Sequence, residues 1–188
     1  MAIINSLSAG IARIETVVGA SLGALTMMLI LLNVVTRSFA KALFWVDEAA
    51  IASMVWMAFL GASVAIHHRD TVAVSLVPDA LAGKAAKLLF IAVDLTVLVF
   101  CLVLFVLCWK WFDPLTLALH GFDTRAFSGA TFNFIYSEVS TTLDIRKFWL
   151  WLIVPMFAAF ASIHSLSNLL NSITGKVRPG GQPHHSEV

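Results

Sequence analysis

VVGASLGALTMMLILLNVV, residues 17–35, is nineteen residues without a charge, and its reading decides the fold. About 20 residues of helix cross a bilayer, and lipid offers the backbone no hydrogen-bond partner, so a run this long and this apolar forms a helix. Three more runs follow: Ala49 to Ile66, Leu88 to Trp109 with one acid, Asp94, and Phe148 to Leu170 with Pro155 and His164. The expectation is an all-α integral membrane protein whose four transmembrane helices span about residues 14–36, 46–67, 86–110 and 147–170. They form one membrane domain over 1–172, with a long, partly apolar loop between helices 3 and 4 and a disordered cytoplasmic tail over 173–188.

Composition agrees with this reading. Hydrophobic residues make up 60% of the 188 and charged residues 12%, and mean hydropathy is +0.91, whereas soluble domains are about 45–50% apolar and roughly 25% charged. A formal net charge of +1 excludes the broad basic surface that nucleic-acid binding requires. The small-x-small triplet Ser38-Phe39-Ala40 is not a signal cleavage site, because the apolar run before it exceeds a signal core and Arg37 intervenes. Basic residues divide six against six between the two sides, so the positive-inside rule is balanced on raw counts. Arg37 is neutralised by an acid and Arg125 lies mid-loop, which tilts the reading to two cytoplasmic termini.

Between the first two runs lies a polar hinge, Asn33, Arg37, Trp45, Asp47 and Glu48. Charges at the edge of hydrocarbon must pair or reach water, so the expectation is an ion-pair and hydrogen-bond cluster between Arg37 and Asp47 or Glu48. Gly19 and Gly23 form a GxxxG, and Ala49, Ser53, Gly61 and Ala65 recur at multiples of four, marking close helix contacts within the bundle or with a partner. Asp94 and His164 sit at equal counted depth, about 9 Å from their helix ends, and are expected to form an intramembrane polar pair.

The loop over 111–147 carries too many apolar residues, among them Leu115, Leu119, Phe122, Phe127, Phe132, Phe134 and Tyr136, for a solvated linker. It lies in the membrane interface, packs on a partner, or folds over its own helix ends. Cys101 and Cys108, seven residues apart in one helix, cannot bridge. No zinc spacing, phosphate loop or nucleophile motif is present, so no catalytic, metal-binding or cofactor-binding residues are expected. His67, His68 and His164 keep one alternative open, a haem-bearing respiratory membrane anchor. The two halves of the chain do not resemble each other, which counts against an autonomous carrier.

Taken in order, Asn33, Arg37, Trp45, Asp47-Glu48, Gly61, His68-Arg69-Asp70, Val72 and Val74, then Leu143-Asp144-Ile145 with Trp149, Trp151 and Pro155, resemble the small membrane subunit, DctQ type, of tripartite ATP-independent periplasmic (TRAP) transporters. The resemblance covers about residues 10–172. It departs from the family in the length of the third loop and in Asp70, where glycine is frequent. It implies a non-enzymatic scaffold in the bacterial inner membrane that packs against a large transport subunit on a separate chain. It also implies a soluble periplasmic binding protein that the small subunit helps to dock, and sodium-coupled uptake of organic acids. Trp45, Trp109, Trp111, Trp149 and Trp151 gather at the outer span ends as an aromatic belt.

Overall fold

A computed structural model describes residues 2–69 and 84–174. Seven helices lie among them: α1 (Ala2–Ser38), α2 (Phe44–His68), α3 (Lys84–Phe112), α4 (Pro114–Leu119), α5 (Thr124–Thr131), α6 (Lys147–Trp151) and α7 (Ile153–Ile173). Four spans meet the length and hydropathy of a membrane crossing: α1, α2, α3 running on into α4, and α6 with α7. The molecule is an all-α membrane protein. Asp70, Val72, Val74 and the tail from Gly175 lie outside the described residues.

The last span is the hub. α7 packs against α1, α2 and α3, while α1 and α2 form the other broad pairing. In the most apolar stretch of this span 39% of residues are buried, against fewer than a fifth in the other three, which turn most of their apolar side chains outward. That distribution suits hydrocarbon or a membrane partner as the surrounding medium, where packing and polar contacts hold the helices.

The largest departure from expectation is α1. Expected over about 14–36, it begins at Ala2, and its 37 residues rise about 55 Å, well beyond hydrocarbon of about 30 Å. Asn5, Ser8, Ala12, Glu15 and Gly19 follow at steps of three and four, one face of a helix. Ser8, Ala12 and Glu15 are buried on that face. A search for apolar runs passes over a helix whose polar stripe faces inward.

The last span is broken as α6 and α7 because Pro155 has no N–H and its ring crowds the carbonyl four residues back. Trp56 Nε1 donates to the Leu150 carbonyl at 3.0 Å, fastening α2 to the break. Trp56 thus works inside the bundle, whereas Trp45, Trp109, Trp111, Trp149 and Trp151 are all exposed.

The third loop folds over its own helix ends. Asp113 caps α4 by accepting from the Thr116 N–H, and Asp123 caps α5 by accepting from those of Arg125 and Ala126. Those two donors hold the Asp123 carboxyl below the usual carboxylate range. Phe112, Leu117, Phe127, Ile135 and Tyr136 close a small apolar core, with Phe148 and Leu152 against it. Tyr136 donates its O–H to the Phe112 carbonyl at 2.6 Å, and burial raises its phenol pKa.

Candidate functional site

Three polar clusters lock the helices together, one at the hinge end and two at the opposite end. At the hinge, Arg37 Nη2 meets Asp47 Oδ2 at 2.7 Å and Arg37 Nε donates to Asn33 Oδ1 at 3.0 Å. Asn33 Nδ2 donates to the other Asp47 oxygen. Asn33 and Arg37 are one turn apart on α1, and Asp47 lies in the first turn of α2, so the triangle sets how the two helices meet. Glu48 takes no part in it. Its carboxylate accepts from the Thr141, Thr142 and Leu143 N–H groups and, at 2.6 Å, from the Thr142 hydroxyl. The two neighbouring acids divide the work: Asp47 ties α2 to α1, and Glu48 ties α2 to the turn that leads into the last span. Trp45, the remaining hinge residue, is exposed and takes no part in the triangle.

The second cluster joins α1, α2 and α7 around a buried histidine. His164 Nε2 lies 3.0 Å from Glu15 Oε2, and its Nδ1 lies 2.7 Å from Ser8 Oγ. Ser8 Oγ also meets His67 Nδ1 at 2.8 Å. Because the serine has one proton for two imidazoles, it donates to one and accepts from the other. The result is one hydrogen-bonded chain from α2 through α1 to α7 and back to α1. Asn5 extends the seam by accepting from Ser167 at 2.7 Å and donating to Asn171 at 3.1 Å.

The third cluster corrects the expected Asp94–His164 pair. Asp94 Oδ2 accepts from Arg69 Nη2 at 2.8 Å and from Ser172 Oγ at 2.5 Å, and the same guanidinium nitrogen donates to the Asn168 carbonyl at 2.6 Å. His164 bonds to α1 and α2 instead. Equal depth is not enough: the Asp94 carbonyl accepts from Ser165, next to His164, at 3.2 Å, but the Asp94 carboxylate turns toward Ser172 in the last turn of α7 while the His164 ring turns toward α1. Arg69 reaches Asp94 because the chain turns left-handed there, at φ 59°, as it leaves α2.

The small residues separate into two groups. A Cβ on Gly19 would stand 3.8 Å from Leu60 Cβ, and one on Gly23 would stand 3.1 Å from Met57 Sδ, so both glycines serve the α1–α2 contact. Gly61 has open space before it. Ser53 is buried and bonds to the Ala49 carbonyl, while Ala65 is half-buried. The expected common face for Ala49, Ser53, Gly61 and Ala65 does not hold, because each step of four residues drifts about 40° round a helix of 3.6 residues per turn.

None of these clusters is a ligand cage. Among the described residues no three His, Cys, Asp or Glu side chains come together as a metal set, and Cys101 and Cys108 are buried free thiols. Both ring nitrogens of His164 are committed to protein partners, which leaves that histidine no free nitrogen for a haem iron. The seams are structural locks on a multi-pass helical membrane subunit.

The model of the family described as "Tripartite ATP-independent periplasmic transporters, DctQ component" matches residues 26–175, and the chain belongs to that family. It is the small membrane component of a TRAP transporter, a transport protein and not an enzyme. A comparison with curated proteins gives no match. Of the features that matter most in the structure, Asn5, Ser8 and Glu15 lie before the matched residues.

Proposed function

We propose that the chain is the scaffold of a sodium-coupled, binding-protein-dependent transporter for organic acids in the bacterial inner membrane, with both termini in the cytoplasm. It packs against the large transport subunit and helps to dock the periplasmic binding protein. The observation that carries this reading is the division of the molecule: polar locks hold α1, α2, α3 and α7 in one arrangement, while α1 and α3 turn most of their apolar residues outward. A fixed bundle with wide apolar flanks supports a moving neighbour without moving itself. Docking is assigned to the turn over 140–146, which Glu48 holds through four hydrogen bonds. The hinge acts as a brace that sets the surface shown to the large subunit.

The test is reconstitution in vesicles with the large subunit and the binding protein. Uptake of an organic acid anion is expected to need all three proteins and an inward sodium gradient. Uptake by this chain alone, or uptake indifferent to sodium, overturns the reading.

A further inference from the structure

Residues 126–137 form a stretch of twelve without a charge, between Arg125 and Glu138. Its apolar side chains divide. Phe127, Ile135 and Tyr136 turn inward and build the loop core, whereas Phe132 and Phe134 turn outward and are 82% and 53% exposed. Phe132 also ends α5 at φ 56°, in the left-handed region where a bulky residue is an outlier and where glycine or asparagine ends helices more cheaply. Phe122 repeats the pattern, exposed at φ 63°. A strained aromatic that contributes nothing to the core has its use outside the fold.

The height of this edge is set by one contact. Asn133 Nδ2 donates to the Trp111 carbonyl at 2.6 Å, so Phe132 and Phe134 flank a residue pinned to the end of the α3 span. Trp111 in turn stacks edge-on against Trp151 of the last span at 5.6 Å. Trp109, Trp111, Trp149 and Trp151 are exposed at the ends of two apolar spans, the level at which aromatic belts meet headgroups. Leu115, one turn beyond Trp111, is exposed as well.

We propose that Phe132 and Phe134, with Leu115, form an interfacial anchor that inserts into the lipid leaflet at this end of the bundle, making the third loop a membrane-bound element. The occupant is lipid because residues 126–137 carry no charge and the Asn133 bond ties them to Trp111 of the tryptophan belt. A soluble partner would have to enter the headgroup level to reach it. The anchor is a different part of the loop from the turn that Glu48 holds, and it depends only on the chain spanning a membrane.

Phe132→Cys and Phe134→Cys, each spin-labelled in the full chain in vesicles of phosphatidylethanolamine and phosphatidylglycerol, test this. Thr141→Cys serves as the water-facing reference, and the wild-type chain, whose two cysteines are buried, as the labelling blank. Collisions with oxygen are expected to exceed those with a water-soluble nickel chelate at 132 and 134, with the order reversed at 141. Nickel collisions prevailing at 132 and 134 would place the edge in water and overturn the proposal. Shielding from both reagents would place it against protein and overturn it equally, as would lipid contact replaced by shielding when the binding protein is added. Phe132→Asn, which suits the left-handed backbone, gives an independent reading: it should keep the detergent melting temperature and speed amide exchange over 129–134 in vesicles. Unchanged exchange in vesicles would count against the anchor.

Discussion

Replacing Asp94 by alanine removes the acceptor on which α2, α3 and α7 converge. Arg69 is then left with the Asn168 carbonyl and the Ser172 hydroxyl, and Ser172 loses its own acceptor. Breaking a buried ion pair by removing one partner costs about 3–5 kcal/mol. Here the two side chains are 23% and 11% exposed and the guanidinium keeps two neutral acceptors, so the expected loss is smaller, about 2–3 kcal/mol. At about 2–4 °C per kcal/mol for a chain of this size, the melting temperature should fall by roughly 4–12 °C. Size-exclusion chromatography of heated, detergent-solubilised protein measures it. Arg69→Ala should also destabilise, and the double variant should lose less than the sum of the two, because neither residue then leaves a charge behind. An Asp94→Ala protein that melts with the wild type, or a double variant that loses the full sum, refutes the assignment of this cluster as the lock between the three helices.

Ser8→Ala strands one buried and one half-buried imidazole nitrogen and should cost about 2–4 kcal/mol by the same melting assay, since each unsatisfied polar group costs about 1–3 kcal/mol. Loss on that scale would show that the first turns of α1 belong to the fold. Arg37→Ala acts differently. Its ion pair is largely exposed and worth about 0–1 kcal/mol, so the chain alone should melt nearly unchanged while the yield of complex with the large subunit falls. Normal complex yield would reduce the hinge to a local contact. Protection of the α5 amides should fall in acid. The Asp123 carboxyl is held below its ordinary range in the folded chain, so its contribution is present above the unfolded value, about 4, and is lost as pH drops through the folded one. Hydrogen exchange follows this, and Asp123→Asn should remove the pH dependence.

The four spans were legible because an uncharged run of bilayer length has one stable conformation in lipid. The Arg37–Asp47 contact was legible for a related reason: a charge at the rim of hydrocarbon needs a partner, and the short turn supplied few. Glu48 looked like the same kind of residue and does a different job. Its donors are the N–H groups of Thr141 to Leu143, nearly a hundred residues away, and only the folded loop brings them back. Asp94 and His164 failed as a pair because depth along a helix says nothing about which way round the helix a side chain points. The inward stripe of Asn5, Ser8, Ala12 and Glu15 has helical spacing in plain view. It was missed because its polarity is the reverse of the pattern that marks a soluble amphipathic helix.

That the chain is a scaffold for a separate transport subunit is decided by co-purification. An affinity tag on this chain, drawn from mildly solubilised membranes, should bring down a large, many-helix membrane subunit in fixed ratio, and deletion of this chain should abolish uptake by that subunit. A chain that purifies stable and alone from membranes containing that subunit, with uptake intact in its absence, would mean that the bundle scaffolds nothing.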